Sequence, residues 1–136
     1  MAKTIVGGVV TVNGVDLSAE CSSVEVNQNA EDHDVTGMSA SAREHLLGLS
    51  DDSMTLNFWQ DFAAAKVDAT LAPLQGSNSP VAVVVQTGST PGSKKWTMQG
   101  LLPNYTPFAG AKGEPSATEA QFLNGDGVGI VAGTVV

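Results

Sequence analysis

The sequence predicts a mainly β fold, a β-sandwich or barrel with one short flanking α-helix, in a single domain spanning residues 1–136. Three observations carry this. Apolar residues recur at every second position in several separate stretches, as in strands with one face toward a core. Clusters of Gly, Pro, Asn and Ser divide those stretches at short intervals, the punctuation of all-β domains. A single stretch has helical spacing instead. A chain of 136 residues is long enough for one hydrophobic core and needs no second domain.

The elements follow in order. Asn13-Gly14 lies between Val9–Val12 and Val15–Leu17 and predicts a tight hairpin. Val24 and Val26 alternate with Ser23, Glu25 and Asn27. Met54, Leu56 and Phe58 alternate with Thr55, Asn57 and Trp59. Asp61 reads as an N-cap, and Ala63, Val67, Leu71 and Leu74 form an apolar stripe, so a helix over 62–71 is expected to end near Pro73. Val81, Val83 and Val85 face one way and Ala82 and Val84 the other; a strand apolar on both faces is central or meets a second surface. Trp96, Met98 and Gly100 alternate with polar residues, as do Ala120 and Phe122. Pro103 and Pro107 bracket a short extended piece containing Tyr105.

Two regions are less regular. Residues 31–52 are the least regular stretch, rich in small residues; a functional loop spanning a subunit boundary would look like this, and so would a plain hairpin excursion. The ends, 1–8 and 128–136, are unusually apolar. They read either as strands of their own subunit or as arms that add to a neighbour's sheet.

Composition narrows the function. Charged residues make up 15% of the chain, and 14 acidic against 6 basic side chains leave a net charge of -8. Nucleic-acid binding needs clustered Lys and Arg, and the one basic doublet is Lys94-Lys95. Acidity at this level also serves solubility alone. The single cysteine, Cys21, rules out an internal disulfide and has no basic neighbour to activate it. The opening residues carry no signal-peptide pattern, and no stretch reaches the roughly 20 apolar residues of a membrane span, so a protein of the cytosol, or of a particle assembled there, is expected.

No catalytic set converges. His33 and His45 lie near no GxSxG or HExxH pattern. Glu31-Asp32-His33-Asp34 resembles a metal site, but on a strand Asp32 and Asp34 would face away from His33. Gly125-Asp126-Gly127-Val128-Gly129 has no following helix and reads as a turn, not a nucleotide loop. No catalytic residue, cofactor or metal is therefore expected, and the chain reads as a structural subunit rather than an enzyme. Trp59 and Trp96 could instead form the platform of a small sugar-binding module.

Asn13-Gly14-Val15-Asp16-Leu17-Ser18 with Val24-Glu25-Val26, Asp34-Val35-Thr36-Gly37-Met38, Leu46-Leu47-Gly48-Leu49-Ser50-Asp51, and above all Phe58-Trp59-Gln60-Asp61-Phe62-Ala63-Ala64 resemble the major tail (tail tube) proteins of long-tailed, siphovirus-type actinobacteriophages. Tyr105-Thr106-Pro107 and Gly113-Glu114 resemble the C-terminal part of that family; Pro115 and the glycine-rich end from Gly125 to Gly133 depart from it. The resemblance spans nearly the whole chain. It implies a virion protein, assembled in the host cytoplasm, whose hexameric rings stack into a tube through which DNA passes without specific binding. The implied partners are further copies of the chain, other tail proteins at the tube ends and the tape measure protein, with no membrane. On this reading residues 36–50, with Thr36, Gly37, Met38, Arg43, Glu44 and His45, form a ring-stacking loop. The apolar ends, with Ile5, Val6, Ile130, Val131 and Val135, pack between subunits, and acidic side chains face the lumen. A capsid decoration protein is the alternative within the same class.

Overall fold

A computed structural model describes residues 8–39, 41–64 and 66–136. The fold is mainly β and antiparallel, with one short helix. The strands are β1 (Val9–Val12), β2 (Val15–Asp16), β3 (Cys21–Asn27), β4 (Ala30–Asp34), β5 (His45–Ser50), β6 (Ser53–Trp59), β7 (Val81–Gln86), β8 (Lys94–Tyr105), β9 (Ala117–Asn124) and β10 (Val131–Thr134). The main sheet runs β2-β1-β7-β8-β9-β6-β3, and β10 also pairs with β8. β4 and β5 form a separate two-stranded sheet.

The first hairpin forms as its turn residues dictate. Asn13 and Gly14 have φ of 50° and 83°, the left-handed pair that a two-residue turn of matching twist requires. β8 organises the rest. Its first half pairs with β7 on one side (Val83 opposite Met98) and β10 on the other (Val131 opposite Thr97). Its second half pairs with β9. Pro103 does not end this strand: the register shifts between Leu101 and Asn104, and a bulge is where a residue without an N–H is tolerated.

Side chains of one parity build the core. Val10 and Val12 of β1, Met54, Leu56 and Phe58 of β6, Val83 and Val85 of β7, Met98 and Leu102 of β8, and Ala120 and Phe122 of β9 are buried together. Each large member contributes roughly 1.5–3 kcal/mol by leaving water. The valine strand β7 is central, between β1 and β8, as its two apolar faces require.

The helix is shorter than the periodicity predicts. It spans Val67–Leu71 (α1), with Lys66 at its N-cap, and continues as a 3₁₀ turn over Ala72–Leu74. Asp61 caps a loop instead: its carboxylate accepts from Ala63 N (2.9 Å) and its carbonyl from Asp68 N (3.1 Å). With those groups engaged, Phe62, Ala63 and Ala64 stay exposed, while Val67 and Leu71 reach the core. α1 is tied to β8 through Tyr105, whose hydroxyl donates to Asp68 Oδ1 (2.9 Å) and accepts from Gln60 Nε2 (2.9 Å).

Of the two readings of residues 31–52, the structure has the hairpin excursion. Most of these residues form the β4–β5 hairpin, with Asp34 opposite His45 and Asp32 opposite Leu47. The C-terminal end is likewise a strand of its own subunit, β10 on β8. Ile5 and Val6 lie outside the described residues.

Candidate assembly surfaces

The β4–β5 hairpin has no core of its own. Every described residue from Gln28 to Asp51 is exposed, including Leu46, Leu47 and Leu49 at 61%, 68% and 81%. Alternation places Asp32, Asp34, His45 and Leu47 on one face and Glu31, His33, Leu46 and Gly48 on the other; a register shift between Ala30 and Asp32 interrupts the alternation at Leu49. One polar pair joins β5 to β4, one joins the connecting loop to β4, and one lies within β4. Arg43 Nη1 meets Asp34 Oδ2 at 2.6 Å and His45 Nδ1 meets Asp32 Oδ1 at 2.8 Å; His33 Nε2 and Glu31 Oε2 stand 3.7 Å apart on the opposite face. Exposed pairs of this kind are screened by solvent and contribute little to stability. The hairpin's shape is therefore local, and its leucines gain burial only from another molecule.

Asp34 closes the tip. Its Oδ1 accepts from Thr36 N (3.0 Å) and Thr36 Oγ1 (2.5 Å), and Thr36 Oγ1 accepts from Glu44 N (2.7 Å). The Thr36 hydroxyl, then its amide, then Arg43 hold the Asp34 carboxyl below its ordinary value. A depressed folded pKa means that the tip is held above the ordinary Asp range and released as pH falls through the lower folded value. In an NMR titration the Asp34 carboxyl should turn over below the ~3.9 of a free Asp, with Thr36 and Glu44 amide shifts following it. A midpoint at or above that value would contradict the tip geometry.

The second surface is a seam. β3 and β1 lie near opposite ends of the strand order, yet both line one cavity of about 760 Å³, so the sheet curls into an incompletely closed barrel. The apolar lining comes from Val10, Val24, Val26, Val85 and Trp96, with Ser22, Gln28 and Thr87 among the polar groups, and includes no Asp, Glu, Lys or Arg. Cys21 also lines it, and burial pushes its thiol up.

The third surface is the outer face of β3, β6 and β9. Rows of paired residues run Ser23–Asn57–Glu119 and Glu25–Thr55–Gln121. Asn57 Nδ2 donates to Ser23 Oγ at 2.9 Å. These side chains are amides, hydroxyls and two carboxylates, with no cation among them. The outer face of β1, β7, β8 and β10 differs: Thr11, Val84, Thr97 and Val131 share one row there.

The sequence-derived site residues distribute unevenly over these surfaces. Thr36, Gly37, Met38, Arg43 and Glu44 lie in the hairpin's connecting loop, and His45 begins β5. Val131 is exposed on the outer face. Val135 is tied to its own subunit, donating to Ser93 O and accepting from Gly92 N, both at 2.8 Å. Ile130 is buried in its own core, its N–H donating to Asp52 Oδ2 at 2.8 Å, so it is unavailable to a neighbour. The leucines of β5 fall inside the expected 36–50 contact stretch but are not singled out there, although three leucines in the run His45–Ser50 are a visible signal. The two tryptophans share no face: Trp96 sits on the inner parity beside Val85, and Trp59 on the outer. Among the described residues no three His, Cys, Asp or Glu side chains converge as a metal site, and no helix is long and apolar enough to cross a membrane.

No family model and no curated relative matches the chain. Solved structures do match its fold. A chain in the virion of a native gene transfer agent particle superposes with a TM-score of 0.74 at 14% identity, over 99% of this chain and 100% of that one. A chain in the tail of an empty gene transfer agent particle, solved with C6 symmetry, gives 0.64 at 15% identity over 86% and 83%. A chain of the sheath–tube complex of an extracellular contractile injection system gives 0.66 at 11% identity over 97% and 91%. At these identities the likeness is one of fold, and the fold is shared, nearly end to end, with chains of tailed particles and injection machines.

Proposed function

We propose that this protein is a virion structural subunit, a tail tube protein whose hexameric rings stack into the conduit for DNA. The observation that carries the reading is the hairpin from Ala30 to Ser50: exposed at every described residue, bearing three leucines, and left uncovered by the rest of the described residues. The full-length fold likeness to a virion chain supports it. The tip residues Thr36, Gly37, Met38, Arg43 and Glu44, with His45, make the contact between rings. Ile5, Val6 and Val131 contribute to packing between neighbours in a ring. Heterologous contacts of this kind close a ring or propagate a filament.

The outer face of β3, β6 and β9 lines the lumen. Glu25 and Glu119 repel phosphates, and the surrounding amides and hydroxyls offer no fixed cation to hold them. The Thr11–Val84–Thr97–Val131 face, more apolar, turns toward neighbouring subunits. The role is structural, not catalytic, and the partners beyond the chain itself are tail proteins at the tube ends and the tape measure protein.

Electron microscopy of the purified protein, with light scattering for mass, tests the class. Hollow stacked rings with six-fold symmetry are expected at high concentration. Closed trimers that never stack would instead indicate a shell decoration protein and overturn the tube.

A further inference from the structure

We infer that the seam groove between β3 and β1 is the receptor for the hairpin tip of a second copy, with Met38 inserted among Val24, Val85 and Trp96. This rests on the reading of the hairpin as the contact between rings and names the surface that it meets. The two surfaces match in three respects. The tip from Val35 to Ser39 carries no charge, and neither does the groove lining, in a chain with a net charge of -8. Like-charge repulsion, the main obstacle to self-association at that charge, is thus absent where these parts meet. The apolar tip side chains are fully or half exposed, Met38 completely and Val35 at 48%, while the groove presents an apolar lining with a neutral polar margin. The volume of about 760 Å³ falls within the roughly 300–1,000 Å³ of clefts that enclose a whole organic ligand, room for a tight turn led by a flexible methionine.

The backbone gives a further reason. β3 ends the strand order and pairs only with β6 among the described residues, so its other edge opens on the groove. An edge of this kind is a template for another chain. Tip and groove are different surfaces of one subunit. Their contact is heterologous, and each copy offers one of each, which propagates an open stack instead of closing a dimer.

Cys21, the chain's one cysteine, lines the groove and supplies the test. Met38→Cys, placed on a fully exposed residue, leaves the subunit fold alone. Oxidising the assembled M38C protein with copper phenanthroline should give a ladder of disulfide-linked multimers in a non-reducing gel. The ladder should vanish in the M38C/C21S double variant. Met38→Asp should raise the concentration needed for assembly roughly 10- to 100-fold, the equivalent of losing one buried apolar side chain. Stacked rings that yield no ladder, or only dimers, overturn this inference and leave the tube reading standing. Rings whose Cys21 is shielded from maleimide until residues 1–7 are deleted, again without a ladder, assign the groove to the N-terminal segment and overturn it too. A chain that stays monomeric at every concentration and gives no cross-link overturns both readings.

Discussion

Asp52→Ala should destabilise the subunit by about 2–4 kcal/mol, lowering Tm by roughly 10 °C for a domain of this size. Asp52 is buried, and its carboxylate accepts from two backbone amides far apart in sequence, Asn29 N at Oδ1 (3.1 Å) and Ile130 N at Oδ2 (2.8 Å). It thus pins three segments at one point: the approach to β4, the start of β6 and the entry to β10. Alanine removes both acceptors and strands the Ile130 N–H away from water, the costly case for a hydrogen bond. Asp52→Asn, which keeps one carbonyl oxygen as an acceptor, should cost about half as much. Gly129 gives an independent check. Its φ of 84° is left-handed, and a Cβ there would overlap the Asp52 carboxylate. Gly129→Ala should therefore match or exceed the Asp52→Ala loss, through backbone strain and displacement of the same carboxylate. Urea denaturation of the monomeric protein reads both. Wild-type stability in either variant would mean that the β10 segment is not anchored through Asp52.

That anchor also shows which parts of the structure were legible in the sequence. Where a strand buries one face against the core, the pattern is written along it: Met54, Leu56 and Phe58 alternate because Phe122 and Ala120 oppose them. The hairpin turn was equally plain, because Asn13-Gly14 is chemistry that few other conformations use. For residues 31–52 the hairpin stayed one alternative of two, because neither face of β4 or β5 is covered by the described residues. Charged residues and leucines there answer to cross-strand partners and to another chain, so no period-two burial marks them. The helix comes out shorter than its periodicity for a related reason. Ala63 and Ala64 have high propensity, but the Asp61 carbonyl accepts from Asp68 N, seven residues on, where a helix begun at 62 would need an i+4 partner. The seam groove was illegible, since β3 and β1 become neighbours only when the whole sheet curls. The resemblance to tail tube proteins pointed to the assembly class, and the fold is consistent with it, while the acidic face of Glu25 and Glu119 needed the strand register to be seen.

If the proposed stacking runs through β5, Leu47→Asp combined with Leu49→Asp should abolish it while leaving the monomer's Tm within about 2 °C of wild type, as surface changes outside the core do. Both leucines lie on β5, both are largely exposed, and neither belongs to the buried core. The subunit has no stability to lose by their replacement. The assembled particle does: two leucines withdrawn from water are worth roughly 3–6 kcal/mol together, which is a shift of about 10² to 10⁴ in the concentration at which copies associate. Two added carboxylates, one of them opposite Asp32, would also repel a neighbour of net charge -8. A Leu47→Ser/Leu49→Ser variant separates the two effects, because it removes the apolar area without adding charge. If burial dominates, the serine variant falls within about tenfold of the aspartate variant by sedimentation velocity. If repulsion dominates, it assembles near the wild-type concentration and salt rescues the aspartate variant. Assembly of both variants at the wild-type concentration would mean that the leucine face of the hairpin stays in solvent, and the inter-subunit role would then pass from β5 to the tip alone.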